Sequence, residues 1–173
     1  MRTRFQICIK YTGIIQRDIM VYSKQVLTFW EKVKKETGIT GDYADAWSFG
    51  DNSELADELL HVIKRGIKRT TTSLVIENQL EDWPDPKIGD YDIILDGKGV
   101  PALVIETVSV RKVKYRDVDT EHAYWEGEGD RDLETYFKEH DKYYRRRGEE
   151  LGFEFNKDMM VYLSKFKVVY VEE

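Results

Sequence analysis

Two strand-like runs, Tyr91–Leu95 and Ala102–Val110, flank the tetrapeptide Asp96-Gly97-Lys98-Gly99. Aliphatic and β-branched residues fill both runs, and an Asp/Gly-rich turn between such runs signals an antiparallel hairpin. An isolated hairpin is marginal in water, so the rest of the chain must supply further strands and helices to cover its apolar face.

Helical spacing supplies that cover upstream. Ser23–Glu36 brings Val26, Leu27, Trp30 and Val33 onto one side, and Gly38 ends the run. A second helix is signalled from Asp51, which with Glu54 three residues on forms a capping box if Asp51 is the N-cap. Leu55, Leu59, Val62 and Ile63 repeat on its core face. Lys64 and Arg65 fall in its last turn, against the negative end of the dipole, and Gly66 occupies the left-handed position beyond it.

Downstream, Thr72–Glu77 reads as a strand and Trp83-Pro84-Asp85-Pro86 as a loop, since neither proline fits a central strand. Asp119–Trp125 reads as a short helix. Arg131–Arg147 reads as a longer one, with Leu133, Tyr136, Phe137, His140 and Tyr144 on one stripe. Met159–Leu163 and Phe166–Val171 read as two closing strands. The pattern predicts an α+β chain with a small barrel-like sheet. Phe5–Tyr11 alternates like a strand, but residues 1–19 hold one acid, Asp18, and are set apart as an N-terminal extension, with Met20 as an alternative start. Residues 20–173 are read as one domain.

Composition narrows the function classes. The lone Cys8 rules out an internal disulfide and a Cys-based metal cluster, and suits a reducing, cytoplasmic setting. No apolar run approaches the roughly 20 residues of a membrane span, and Gln6 and Lys10 spoil the opening as a signal peptide. No HxxxH, HExxH, GxSxG, GxxxxGK[ST] or GxGxxG spacing occurs, which argues against zinc hydrolases, ATPases and nicotinamide dehydrogenases. His61, His122 and His140 read best as hydrogen-bonded structural histidines.

The formal charge is −6, yet charge is segregated. Lys64, Arg65, Lys68 and Arg69 crowd HVIKRGIKRTTTS (His61–Ser73), while Asp117–Glu134 is strongly acidic. The net charge argues against bulk nucleic-acid binding but leaves room for one focused basic site. Lys64 and Arg65 are explained by the helix end. Lys68, Arg69 and the hydroxyls after them form a cationic loop suited to phosphates, or a solvated loop. In Glu126-Gly127-Glu128-Gly129-Asp130 the carboxylates Glu126, Glu128 and Asp130 either chelate a hard divalent cation or build a turn in which Asp130 caps the next helix. Glu106 interrupts an apolar strand, and so faces solvent or a cation; Lys68 is a candidate partner if the two strands adjoin.

Taken in order, AWSFGD (Ala46–Asp51), LADELLHVIKRGIKRTT (Leu55–Thr71), KIGDYDIILDGKGVPALVIET (Lys87–Thr107), VDTEHAYWEGEGDRDLETYFKEH (Val118–His140) and VYLSKFKVVY resemble the ASCH domain family, over roughly residues 23–171. The resemblance implies a PUA-like β-barrel with flanking helices and a cleft for RNA or a nucleotide-like ligand, lined by a GxKxxT element that maps to Gly66, Lys68 and Thr71. Short members look like amidohydrolases of acylated cytidine, using residues that match Lys68, Thr71 and Glu106. Longer members, marked by EGEGD, are associated with ribonuclease activity.

The expected function is therefore RNA interaction, with RNA cleavage or nucleotide processing as the candidate activity. Lys68 and Arg69 would clamp phosphate, Thr71 and Glu106 would stand at the reacting centre, and Trp47, Phe49 or Trp83 would stack a base. Two alternatives stand beside it: a small-molecule amidohydrolase with Thr71 as nucleophile, and a non-catalytic module whose acidic EGEGD face meets a protein. No cofactor is expected, and a divalent cation stays open through the three carboxylates.

Overall fold

A computed structural model describes residues 16–172, with side chains from Lys24 onward. The predicted strand Phe5–Tyr11 lies outside the described residues. The elements run α1 (Gln16–Thr37), β1 (Asp45–Trp47), α2 (Ser53–Lys64), β2 (Thr70–Leu74), α3 (Val75–Leu80), β3 (Tyr91–Leu95), β4 (Pro101–Lys114), a 3₁₀ turn (Tyr115–Asp117), α4 (Thr120–Glu126), α5 (Leu133–Leu151) and β5 (Met160–Val171). The strands form one mixed sheet in the order β1-β3-β4-β5-β2. The expected α+β class holds. The chain divides into two compact units. The first comprises residues up to Lys64, Gly89–Glu106 and the chain from Lys167 on; the second comprises Arg65–Ile88 and Thr107–Phe166.

In the first unit the predicted hairpin is present. Tyr91–Leu95 pairs antiparallel with the start of β4, and β1 adds to β3 in parallel. Asp96 makes the turn: its Oδ1 accepts from the backbone N–H of Lys98 at 2.8 Å and Val100 at 2.9 Å. Pro101 opens β4 at a register shift opposite Leu95, where a missing N–H costs least. Val26, Phe29, Trp30 and Val33 of α1 pack on Ile93, Leu95 and Val104. The core of α2 is Ala56, Leu59, Leu60 and Ile63. Its N-cap is Asn52, not Asp51, since the Asn52 amide oxygen takes the Leu55 N–H at 2.9 Å. One residue of offset puts that oxygen, and not the Asp51 carboxylate, at the N3 donor.

In the second unit β2 pairs antiparallel with β5, from Thr70 opposite Lys165 to Leu74 opposite Val161. Tyr115, Tyr136, Tyr144, Phe155, Val161 and Leu163 form its core around α5. Asp119 caps α4 by accepting the His122 N–H at 2.8 Å. Asp132 caps α5 through the Thr135 N–H at 2.7 Å, a task the sequence reading gave to Asp130.

The predicted strand Thr72–Glu77 breaks at Leu74, and Val75–Leu80 is helical. Its local residues favour strand, but Glu77 is buried and accepts from Arg147 Nε at 2.6 Å and the Tyr143 hydroxyl at 2.9 Å. Arg147 also binds Glu81 and Glu150. A buried carboxylate without these partners would be costly, so tertiary pairing overrides propensity here. The two predicted closing strands are one continuous β5.

Candidate nucleic-acid interface

The loop from Gly66 to Arg69 and the loop after α4 meet in the second unit. Gly66 is left-handed at φ 69°, as expected at a helix end. Gly127 is also left-handed, at φ 71°, and the space a Cβ would need is taken by the backbone of Ile67 and Lys68 at 2.9 Å. Arg69 N–H donates to Trp125 O at 2.7 Å. The GxK and EGEGD stretches, separated by some sixty residues of sequence, thus form a single packed feature.

Lys68 lies at its centre with 2% of its surface exposed. Its ammonium donates to Glu126 Oε2 at 2.5 Å, Glu128 Oε1 at 2.6 Å and the Glu126 carbonyl at 3.2 Å. Burial alone would lower the Lys68 pKa, but the charges of Glu126 and Glu128 overcome it and hold the ammonium above its ordinary range. Burial alone would raise Glu126 likewise, and Lys68 with the His122 hydrogen bond holds it below the usual carboxylate range. The sequence reading assigned Lys68 to phosphate; in the free chain its ammonium is held by two carboxylates instead. Glu126 and Glu128 are engaged by it, Asp130 is exposed, and among the described residues no group of three or more His, Cys, Asp or Glu could hold a metal ion.

The other oxygen of Glu126 organises a second set of bonds. Thr72 Oγ1 lies 2.7 Å from Glu126 Oε1, 2.9 Å from His122 Nε2 and 2.8 Å from the Tyr136 hydroxyl. An ionised carboxylate only accepts, so Thr72 donates its one O–H to Glu126 and accepts from the other two. His140 stacks on Tyr136 with ring centroids 4.0 Å apart. Side chains alternate along a strand, so Thr70 and Thr72 share the face toward α4 and Thr71 takes the opposite one. Thr70 Oγ1 accordingly donates to His122 O at 3.0 Å.

Beside this network opens a cleft of about 220 Å³. Buried Thr70, His122 and Leu163 form its floor, Trp125 and Ser109 its walls, and exposed Arg111, Lys165 and Glu121 its rim, with Asp119 salt-bridged to Arg111 at 2.7 Å. Arg69 lies over the Trp125 ring at 5.0 Å, and Arg131 over the Tyr124 ring at 3.8 Å. The cleft therefore joins cations, hydroxyls and an aromatic face.

The family model for the ASCH domain matches residues 45–170. The chain belongs to the ASCH domain family. Its structure is similar to the ASCH domain crystal structure from Lactobacillus crispatus JV V101, at TM-score 0.70 and 28% identity over 94% of this chain and 99% of that one. It is also similar to a crystal structure from Enterococcus faecalis V583 assigned to a domain of unknown function, at TM-score 0.79 and 29% identity over 86% of this chain and 90% of that one. Both support the PUA-like assignment of the sheet and its flanking helices. Among proteins of curated function, none matches significantly.

In this ASCH domain the residues singled out from sequence are divided between the two units. Glu106 belongs to the first unit and pairs with Lys167 at 2.9 Å, and in the strand order β5 lies between β4 and β2. Lys68, Thr71 and Glu106 do not line the cleft. Phe49 is a core residue, 4% exposed, and so no stacking platform. Trp47 is half-buried against it at 4.4 Å, and its indole bonds the Asp92 carboxylate. Trp83 is half-buried, and its backbone N–H donates to Asn78 O at 2.8 Å. Arg69 alone of the expected ligand-binding side chains stands exposed beside the cleft. Trp125, Arg111 and Lys165 were missed; the adjacent aromatics Tyr124 and Trp125 inside an acidic segment were the available signal.

Proposed function

We propose that this ASCH domain binds single-stranded RNA, or a nucleotide-like ligand, through the cleft of its second unit. One observation carries this reading: Trp125, with the Arg69 guanidinium 5.0 Å from its ring, walls a cleft whose rim also bears Arg111 and Lys165. Bases stack on aromatic rings and on guanidinium planes, and exposed cations meet phosphates. A volume of about 220 Å³ falls below the range of ~300–1,000 Å³ typical of pockets for drug-sized ligands. It suits one nucleotide unit rather than a duplex. The family as a whole is RNA-binding-like, which agrees with the same reading.

The test is equilibrium binding of a short single-stranded RNA as a function of salt. Two or so phosphate contacts give a slope of log affinity against log salt of roughly −1 to −2. Trp125→Ala should weaken binding by roughly 5- to 150-fold, the effect of losing one base stack of about 1–3 kcal/mol. Arg69→Ala should flatten the salt slope. A salt-independent affinity, or one unchanged by Trp125→Ala, would refute the proposal.

A further inference from the structure

His122 is a floor residue of the cleft whose ring also belongs to the buried network, and its two ring nitrogens have different surroundings. Nε2 turns inward, 2.9 Å from Thr72 Oγ1 and 3.3 Å from Glu126 Oε1. Thr72 has spent its only O–H on Glu126, and Glu126 is an ionised acceptor. A ring that carries one proton therefore holds it on Nε2, in the bond to Thr72, and keeps Nδ1 as an acceptor.

Nδ1 is open. Among the described residues, the Tyr144 hydroxyl is the one buried side-chain nitrogen or oxygen without a partner. No described hydrogen bond engages His122 Nδ1, so that atom is not sealed in the core, and the space His122 borders is the cleft. Nδ1 is thus left to accept from a ligand in the cleft that carries a hydrogen-bond donor.

Position on α4 suggests which donor. His122 and Trp125 are three residues apart on one helix, which makes them side-by-side neighbours with Cβ atoms ~5–6 Å apart. A base stacked on Trp125 would bring its own sugar within reach of His122, with the phosphates toward Arg111 and Lys165. We propose that His122 makes the cleft selective for ribonucleotides, its Nδ1 accepting the hydrogen bond of a 2′-hydroxyl. This inference rests on the RNA-binding reading above and adds the chemical group by which RNA is told from DNA.

The experiment compares binding of one single-stranded octamer in ribo, deoxy and 2′-O-methyl forms to the full chain and to His122→Phe. The wild-type chain should prefer the ribo form by roughly tenfold over both others, the cost of leaving a partly desolvated acceptor unpaired. The Phe variant should bind all three alike, near the weaker affinity, with its salt slope intact. Equal wild-type affinities, a preference that survives in His122→Phe, or a loss of base preference instead of sugar preference would overturn the proposal while leaving RNA binding in place. Absence of any oligonucleotide binding would overturn both.

Histidine ¹⁵N spectra of the unmutated chain give a second readout that does not depend on a variant folding. The free chain should show His122 with an unprotonated Nδ1, and cytidine 5′-monophosphate should shift that signal where its 2′-deoxy counterpart does not. A protonated Nδ1 in the neutral ring, or equal responses to the two nucleotides, would also overturn it.

Discussion

Lys68 and Glu126 form a buried ion pair, with the ammonium 2.5 Å from Oε2 and each side chain 3% exposed or less. Removing one partner of such a pair strands the other charge, at a cost of about 3–5 kcal/mol. Lys68→Met should therefore lower the urea midpoint sharply. The double variant Lys68→Met/Glu126→Gln should recover part of the loss. A single variant within 1 kcal/mol of wild type (~20% of the largest loss anticipated) would contradict this account of the pair.

In the first unit a carboxylate pair behaves in the opposite sense. Asp45 and Asp92 are register partners across β1 and β3. Burial, then the charges of Asp45 and Asp90, pushes Asp92 up to about 7, and burial pushes Asp45 up to about 6. An acid with a raised folded-state pKa holds its proton more tightly folded than unfolded, so its contribution turns destabilising as pH rises from about 4, the unfolded value, to about 7. Asp92→Asn should thus raise the melting temperature relative to wild type by an amount that grows over this window and levels off above it. Thermal denaturation at a series of pH values measures this, and a pH-independent difference would count against it.

Gly127 is the hinge between the two loops of the network. Alanine there combines a left-handed backbone with a Cβ 2.9 Å from the Ile67 carbonyl and Lys68 Cα. Gly127→Ala should destabilise by about 1–3 kcal/mol, through backbone strain and displacement of Lys68 from its carboxylates. Denaturant titration checks the magnitude. A neutral or stabilised variant would mean the loops do not pack as described.

Glu106 should be nearly dispensable. Its partner Lys167 is 57% exposed, and such pairs contribute about 0–1 kcal/mol. Glu106→Gln should leave the unfolding free energy within that range and RNA affinity unchanged. Turnover of N-acetylcytidine that vanished in Glu106→Gln and Thr71→Ala would instead restore the amidohydrolase arrangement read from sequence.

Much of the architecture was readable before any coordinates. The hairpin around Asp96–Gly99, the stop at Gly66, and α4 and α5 follow from spacing and turn chemistry, which act over a few residues. Helix α3 was misread because its residues locally favour strand, and its stability comes from Arg147, seventy positions away. The caps at Asn52 and Asp132 were each missed by a residue or two, since several acceptors stood in range and geometry chose among them. The site was less legible: Lys68 and the EGEGD carboxylates were both singled out, but nothing in their spacing revealed that they bind each other.

By itself the sequence determined the α+β class, most element positions, the left-handed glycine at Gly66 and the membership in a family. These depend on local backbone preference and on ordered motifs. Tertiary structure decided that the Lys68 ammonium is buried and paired with carboxylates while Arg69 beside it stays exposed, that Thr72 rather than Thr71 meets the carboxylate, and that Trp125 walls the cleft. Charge and strand alternation offer each of these side chains two destinations. Only the packing of α4 and its loop against β2 selects one, because it settles which groups lose water and must find partners.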